Sequence, residues 1–189
     1  MPSKLGLIIE DESDSEVIIE IIRKIRPGSR VAIQPVLAGG CARIRAKSGA
    51  WAKNLAAKGC NLLVVVHDCD RYDENELREQ LDGMLIDSAI AARIVIIPVE
   101  EIETWLLADS EAIRRAMNLK KAPKKLPTPH SIKSPKEFLE RLVFSHSNKE
   151  KRYVNTRHNG RIAKLLSLAE VRRCPSFPAF EAFIRQNVV

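Results

Sequence analysis

Acidic side chains directly follow three short apolar segments of the chain, residues 5–9, 62–66 and 93–99. The acids of interest are Glu10, Asp68, Asp70, Glu101 and Glu103. Carboxylates held close together raise one another's pKa, and a divalent cation removes that cost. Carboxylate oxygens without an accompanying His or Cys set favour Mg²⁺ or Mn²⁺ over zinc. If the three segments are parallel strands, these acids converge at one edge of a sheet and predict a divalent metal site.

The spacing of Asp68 and Asp70 indicates more than their type does. Side chains at alternate positions of a strand point the same way, so both can reach one metal or two adjacent metals. His67, one residue earlier, points to the opposite side and is expected to be buried in a helix layer. Asp68 and Asp70 alone form a weak motif, and their coincidence with Glu10 on another strand end makes the pattern more specific.

Other acids of the chain have a plainer interpretation. Acidic residues are favoured electrostatically in the first turn of a helix. This interpretation is preferred for Asp14, Glu16, Asp73 and Glu76. It competes with the metal-site interpretation for the strand-end acids.

The elements that must position these acids alternate between strands and helices. Predicted strands cover residues 5–9, 30–37, 62–66 and 93–99, and predicted helices cover 13–25, 42–58 and 73–90. The segment 62–66 is apolar without alternation, as in a strand buried on both faces of a parallel sheet. The pattern predicts an α/β, three-layer domain with a central, mostly parallel four-stranded sheet. In such sheets ligands bind beyond the carboxyl ends of the strands.

The strand pattern stops near residue 100. Short helices are predicted at 101–108 and 110–118, a stiff, exposed, basic loop at 119–136, and further helices at 134–146, 157–170 and 176–187. We therefore expect an α/β core over residues 1–109 and a basic helical C-terminal extension over residues 110–189, packed on that core.

The net charge of +7 divides unequally between these two parts. Residues 1–109 hold 13 Lys and Arg against 18 Asp and Glu, a balance of −5, and residues 110–189 hold 18 against 6, a balance of +12. The division suggests that one part binds metal ions and the other binds phosphates. Candidate nucleic-acid-binding residues are Arg43, Arg45, Lys124, Lys125, Lys136, Lys151 and Arg152. The alternative is an ordinary solvated face, and the 5% aromatic content favours backbone binding over sequence-specific contacts.

Composition and motifs exclude several classes of protein. With 45% hydrophobic and 29% charged residues in 189, the chain is neither disordered nor fibrous. Its apolar runs fall far short of the roughly 20 residues that cross a bilayer, and the N-terminus does not resemble a signal peptide, so a cytoplasmic protein without membrane contact is expected. The four cysteines lack Cys-x-x-Cys spacing and are expected to be reduced. No P-loop or Gly-x-Ser-x-Gly motif is present.

The strand-end acids resemble a known catalytic core. Glu10 after an apolar strand, with Asp68-x-Asp70-Arg71 after the third strand, resembles the TOPRIM core. That core occurs in topoisomerases, bacterial primases and the nucleases of phage-exclusion and anti-phage systems.

Three further motifs narrow this resemblance. Residues 98–109, 134–137 and 173–177 are similar to motifs of an uncharacterised prokaryotic TOPRIM-like family, domain of unknown function 4276. The resemblance covers nearly the whole chain and implies the TOPRIM-like fold. One departure is Asp11, since TOPRIM proteins usually have glycine after the first glutamate.

The resemblance also implies roles for the acids. Glu10 would be a general acid/base or a metal ligand, Asp68 and Asp70 would be ligands of Mg²⁺ or Mn²⁺, and Glu101 and Glu103 would be candidates for a second metal. A metal held in this way polarises a phosphodiester and readies a water for attack.

Three functions remain open at this stage. The first is a Mg²⁺-dependent phosphodiesterase acting on DNA or RNA, in phage defence alongside a partner ATPase. The second is a non-catalytic module that binds metal, nucleic acid or a partner protein. The third is a receiver-like phosphoacceptor domain, which would need a fifth strand ending in a lysine, and the sequence shows none.

Overall fold

The computed structural model describes residues 3–70, 72–124 and 126–189. Its sheet has four parallel strands in the order β2-β1-β3-β4. The strands are β1 (Lys4–Ile9), β2 (Ala32–Leu37), β3 (Leu62–Val66) and β4 (Ala92–Ile96). The predicted α/β fold class with a four-stranded parallel sheet is confirmed. The described residues contain no fifth strand, which a receiver-like domain would require.

Helices on both faces of the sheet complete three layers. The connecting helices are α1 (Glu12–Ile25), α2 (Cys41–Ala57) and α3 (Glu74–Leu85). Alternate side chains of β1 enter different cores: Leu5, Leu7 and Ile9 pack in the core that contains α1. Ile8 packs instead with buried residues of α2 and α3, such as Ile44. The continuous apolar runs of the central strands therefore reflect burial on both faces.

The C-terminal helices extend the layer that contains α1. They are α4 (Glu103–Leu106), α5 (Ser110–Ala116), α6 (Pro135–His146), α7 (Asn155–Leu165), α8 (Leu168–Val171) and α9 (Phe177–Asn187). Trp105 anchors this layer, with its ring 5.2 Å from Phe177 and 5.6 Å from Phe180, centroid to centroid. Its indole N–H also donates to the Ser176 hydroxyl at 3.0 Å. The buried Trp105 thus holds the extension on the sheet, and the predicted helical C-terminal region is confirmed.

Several helix boundaries differ from the sequence prediction: the helix predicted over 73–90, for example, is α3 and ends at Leu85. Two of the differences have an identified hydrogen-bonding cause. Helix α1 begins at Glu12 with Asp11 as its cap, because the Asp11 carboxylate accepts from the Asp14 N–H. A start at Ser13 was therefore wrong. The helix predicted over 157–170 is interrupted, because the Ser167 N–H donates to the Asp109 carboxylate at 2.9 Å instead of continuing helical pairing.

The basic segment 119–136 is only partly the exposed loop that its composition predicts. It contains a 3₁₀ turn at Pro129–Ser131. Leu119, Pro129 and Ile132 are buried, whereas Lys124 and the other described lysines before residue 134 are exposed. Apolar side chains therefore fasten the segment to the protein while its lysines face solvent. The predicted binding residue Lys125 lies outside the described residues.

None of the described helices combines the length and the apolar character that crossing a lipid bilayer requires.

Helices α8 and α9 are joined by a shared carboxylate. Glu181 of α9 accepts two hydrogen bonds from Arg172, at 2.7 and 2.8 Å, and two more from Arg185, at 3.0 and 2.7 Å. These hydrogen bonds, the Arg172 pair foremost, lower the pKa of Glu181 to about 2. The ionised carboxylate therefore stabilises the folded C-terminal region.

We predict that Glu181→Gln lowers the free energy of unfolding by about 1–2 kcal/mol at pH 7. The pKa of Glu181 in the folded protein lies below the ordinary 4.5. The difference in unfolding free energy between the two proteins is therefore largest above about pH 5 and disappears as the pH falls towards 2. Urea unfolding of both proteins between pH 2 and 7 measures this difference. Glu170→Gln, which breaks the exposed pair with Arg173, is the matched control and changes stability much less. An equal effect of the two variants would contradict the assignment.

Candidate functional site

The carboxyl ends of β1 and β3 form a topological switch point. The two strands are neighbours, yet the chain runs from β1 to β2 on one side and from β3 to β4 on the other. Helices leave such strands on opposite faces and open a crevice between their ends. Glu10 follows β1 directly, and Asp68 lies two residues beyond β3.

A cavity of about 190 Å³ opens at this point. The five predicted acids line it together, and so does one of the predicted basic residues, Lys136. The described residues that line it are Glu10, Asp11, Asp14, Cys41, Asp68, Asp70, Glu101, Glu103, Lys136 and Asn155. The structure therefore brings together the acids of three strand ends, as the parallel topology requires.

Backbone pairing continues beyond β3 and positions Asp68 and Asp70. The Cys69 N–H donates to the Pro98 carbonyl at 3.1 Å, and the Asp70 N–H donates to the Glu100 carbonyl at 3.2 Å. Asp68 and Asp70 both line the cavity. Asp70 and Glu100 have left-handed backbone, with φ of 49° and 61°. Such strained residues concentrate at functional sites.

His67 supports the strand end from the other side of the sheet. It is 1% exposed, and its Nδ1–H donates to the Asp68 carbonyl at 2.6 Å. Its Nε2 accepts from the Arg45 guanidinium at 3.0 Å, because arginine can only donate. Burial lowers the pKa of His67 and keeps it neutral. The imidazole therefore points away from the cavity, as its position in the strand predicts.

Asp14 belongs to the cavity although it had been interpreted as a helix-end charge. It lies in the first turn of α1, where side chains tilt towards the helix N-terminus and thus towards the strand ends. Burial, with the nearby charges of Asp11, Glu103 and Glu10, raises the pKa of Asp14 to about 8. That helical tilt is the sequence signal that could have identified it.

The same crowding affects the central aspartate. Burial raises the pKa of Asp68 well above its ordinary range, and the charges of Asp14, Glu103 and Glu10 add to the effect. Asp14 and Asp68 therefore hold their protons to a higher pH than exposed aspartates do.

Helix α7 of the C-terminal region holds Glu103 in the cavity wall. Glu103 is 4% exposed, and its Oε1 accepts from the Tyr153 hydroxyl and from the Asn159 amide, both at 3.2 Å. The Tyr153 hydroxyl also contacts Asn159 Oδ1. Burial raises the pKa of Tyr153, which keeps its hydroxyl protonated as a donor. The sequence does not link Tyr153 and Asn159 to Glu103, because no local pattern connects residues that are 50 and 56 positions apart.

Helix α6 contributes a lysine, Lys136, to the cavity lining. Ser134 occupies the N-cap position of α6 without a side-chain capping hydrogen bond, and Pro135 is the first residue of the helix. This start places the Lys136 N–H where it donates to Glu101 Oε2 at 2.9 Å. Burial raises the pKa of Glu101, an effect that the hydrogen bond from Lys136 opposes. The Lys136 side chain lines the cavity among the acids and partly neutralises them.

Cys41, at the start of α2, contacts the acid that follows β1. Its thiol donates to Glu10 Oε2 at 2.9 Å. Burial and this hydrogen bond raise the pKa of Cys41, so the thiol stays protonated and serves as a donor. The sequence offered no signal for this contact, because the cysteine carries no metal-ligand spacing.

The carboxylates suit a hard divalent cation by type, but their present arrangement does not enclose one. Within residues 3–70, 72–124 and 126–189, no group of three or more His, Cys, Asp and Glu side chains is placed to hold a metal ion. The all-oxygen donor set and the raised pKa values of Asp14 and Asp68 nevertheless fit Mg²⁺ or Mn²⁺, because a cation would relieve the repulsion.

Comparison with protein families assigns the chain. The model of the family described as "Domain of unknown function (DUF4276)" matches residues 9–185. The chain belongs to the DUF4276 family. Among solved structures, this DUF4276 chain is similar to the C-terminal region of the Burkholderia pseudomallei OLD protein, with 13% identity and a TM-score of 0.51. That match covers 96% of this chain and 97% of the other, and confirms the TOPRIM-like fold. No curated protein matches the sequence significantly.

The structure explains why this DUF4276 protein has Asp11 where TOPRIM proteins usually have glycine. Asp11 is extended, with φ −139°, so its position does not require glycine. Its carboxylate accepts from the Asp14 N–H at 3.1 Å and from the Ser13 hydroxyl at 2.7 Å. The Asn155 amide in turn donates to Ser13 at 3.2 Å. Asp11 thus caps α1 and links it to α7.

Other predicted binding residues do not line the cavity. Arg43 donates to the Ala38 carbonyl at 3.3 Å, and the Lys151 ammonium donates to the carbonyls of Met117 and Asn118. The Arg152 guanidinium lies 5.9 Å from the Phe144 ring centre. Arg45 is bound to His67, and Lys124 is exposed. The structure therefore gives several of these cations intramolecular partners, and their binding to phosphates stays a prediction.

We predict that Asp14→Asn stabilises the metal-free DUF4276 protein. The folded pKa of about 8 exceeds the ordinary 3.8, so the wild type loses stability between about pH 4 and 8, whereas the variant does not. The advantage of the variant should grow over that range and reach several degrees in Tm. Thermal unfolding in a chelating buffer measures it, with the exposed Asp82→Asn as a control. A difference in Tm between Asp14→Asn and the wild type that stays constant from pH 4 to 8 would contradict the raised pKa of Asp14.

Tyr153→Phe tests whether the Tyr153 hydroxyl, just before α7, stabilises Glu103 in the cavity wall. Removing the hydroxyl leaves Glu103 with fewer donors and should cost about 1–2 kcal/mol of stability, seen as a lower Tm. The exposed Tyr72→Phe is the matched control and should leave Tm unchanged. Equal Tm values for the wild type and Tyr153→Phe would show that the hydroxyl does not support Glu103.

Proposed function

We propose that the chain is a divalent-metal-dependent phosphodiesterase, a nuclease that acts on DNA or RNA. The observation that carries the proposal is the cavity at the switch point, where seven carboxylates and Lys136 meet. The TOPRIM-like fold supports the proposal, since the site lies where α/β sheets bind ligands. The acids alone would repel a phosphodiester, so the proposal requires a bound cation.

The proposed roles follow from position. Asp68 and Asp70 would hold Mg²⁺ or Mn²⁺, which stabilises negative charge on a phosphodiester and readies a water when bound. Glu101 and Glu103 would hold a second ion. These roles agree with the wall positions of all four acids.

Glu10 and Lys136 would act directly on the reacting groups. The Cys41 thiol orients Glu10 by donating to Oε2, which leaves Oε1 of Glu10 to accept or return a proton. The Lys136 ammonium would bind a non-bridging phosphate oxygen. Arg43, Lys124 and Lys125 would bind the flanking backbone phosphates, and Arg45, Lys151 and Arg152 would do so less directly.

Cleavage assays with the full chain test the proposal. We expect Mg²⁺- or Mn²⁺-dependent cleavage of plasmid or single-stranded substrates, and a loss of at least 100-fold in Asp68→Asn/Asp70→Asn and in Glu10→Gln, on the scale of about 10²–10⁴ for one catalytic group. Asp82→Asn/Asp87→Asn is the matched double control, because both of its acids are exposed.

Two readouts separate binding from catalysis. Calorimetric titration with Mn²⁺ should show binding to the wild type and not to the Asp68/Asp70 double variant. Full cleavage by that double variant, or by chain that has been stripped of metal, would sink the nuclease proposal.

A second function is favoured by one observation. Asp11 stands where TOPRIM proteins usually have glycine, and this departure favours a non-catalytic module that binds metal and nucleic acid or a partner protein. Robust turnover by the isolated chain, abolished in Glu10→Gln, would remove this alternative.

The biological setting is also a proposal. The resemblance of the strand-end motifs to nucleases of phage-exclusion systems supports a role in phage defence with a partner ATPase. Restored phage growth in cells that carry the Asp68→Asn/Asp70→Asn variant is the expected result.

A further inference from the structure

A second cavity adjoins the acidic one. It measures about 580 Å³ and is lined by Asp70, Tyr72, Glu100, Glu101 and Lys133. Asp70 and Glu101 also line the acidic cavity, so the two cavities share part of their wall. A volume of this size is typical of small-ligand sites. A group held there would lie directly beside the proposed reaction centre.

An exposed aromatic ring forms one wall of this second cavity. Tyr72 is 49% exposed. The Arg45 guanidinium lies over the ring at 4.4 Å from its centroid, and His67 meets it edge-on at 6.4 Å. One face of the ring is therefore covered by a cation, and the remaining ring surface is open to the cavity.

The two residues that hold Tyr72 are themselves fixed. Arg45 donates to His67 Nε2 at 3.0 Å, and the buried His67 is bonded to the Asp68 carbonyl. Arg45 therefore connects the exposed ring to the strand end that bears Asp68. A ring held in this way loses little conformational entropy when a ligand stacks on it.

We propose that Tyr72 is a stacking platform for an unpaired nucleobase, so that the substrate of the site is single-stranded nucleic acid or a frayed end. The inference rests on the proposed phosphodiesterase function and names its substrate class. Stacking on an aromatic side chain requires a base whose face is free, which a paired base inside a duplex does not offer.

Charge places the base, rather than a phosphate, in the second cavity. Asp70, Glu100 and Glu101 surround it, and Lys133 is the only cation in its described lining. Carboxylates repel phosphate but accept hydrogen bonds from base amino groups. In the acidic cavity the proposed metal ion and Lys136 would offset this repulsion, so the phosphodiester is expected there and the neighbouring base on Tyr72.

The test is a binding measurement with the full chain. Fluorescence anisotropy in Mg²⁺ compares a labelled ten-nucleotide single strand with the duplex of the same sequence. A Glu10→Gln background prevents cleavage from competing. Tyr72→Ala should weaken single-strand binding by about 5- to 150-fold, the range for one lost stacked base, and should leave duplex binding unchanged.

Two further variants separate stacking from other roles of Tyr72. Tyr72→Phe keeps the ring, so it should retain single-strand affinity. In protein that keeps Glu10 it should also retain cleavage. Loss of cleavage would instead indicate that the Tyr72 hydroxyl acts as a nucleophile. Arg45→Met removes the support of the ring and should weaken single-strand binding less than Tyr72→Ala does. Ile86→Ala, another exposed apolar truncation, is the control for surface loss.

The outcomes distinguish this inference from the proposed function. Metal-dependent cleavage with equal single-strand affinity in Tyr72→Ala would overturn the stacking platform and leave the nuclease intact. Single-strand binding that is weakened by Tyr72→Ala, together with no cleavage by protein that keeps Glu10, would support the stacking platform and overturn the proposed nuclease activity. No binding of either oligonucleotide would overturn the platform.

Discussion

The crowding of carboxylates, several of them partly or fully buried, at the β1/β3 switch point is the constraint on which the rest of the site depends. The parallel topology brings the strand-end acids together beside Asp14 of α1, and burial, followed by the neighbouring negative charges, raises the pKa values of Asp14 and Asp68. A protein retains such a costly cluster where charge serves a function. Local contacts offset part of this repulsion: Lys136 lies in the cavity wall, the Cys41 thiol donates to Glu10, and the Tyr153 hydroxyl donates to Glu103.

The C-terminal region takes part in the site instead of only covering the sheet. Helix α6 brings Lys136 to Glu101, while Asn159 of helix α7 and Tyr153, which lies just before that helix, donate to Glu103. The charge balance of −5 before residue 110 and +12 after it therefore has a structural counterpart. One lysine enters the acidic cavity, while several other cations bind carbonyl groups or lie exposed. Segregation of charge, more than the net value of +7, is what suits metal-assisted phosphate chemistry.

The strand-end acids could be predicted because their positions follow from local pattern and parallel topology alone. An apolar run predicts a strand, and an acid directly after it must lie at the carboxyl edge, as Glu10 and Asp68 do. Asp14 was missed because helix-end charge is a sufficient local explanation for it. Tyr153 and Asn159 could not be predicted, since their contacts with Glu103 depend on how distant helices pack. Arg45 was expected at phosphates, but packing beside His67 gives it an internal partner.

The most direct test of the site is an anomalous-scattering map from crystals of the full chain soaked in Mn²⁺. The carboxylate cluster predicts a peak between Glu10, Asp68 and Asp70, at metal–oxygen distances of about 2.0–2.3 Å. The acids should close around the ion, since its charge removes the repulsion that now separates them. An anomalous map without a peak in this cavity, at a Mn²⁺ concentration that supports binding elsewhere on the protein, would contradict a metal site.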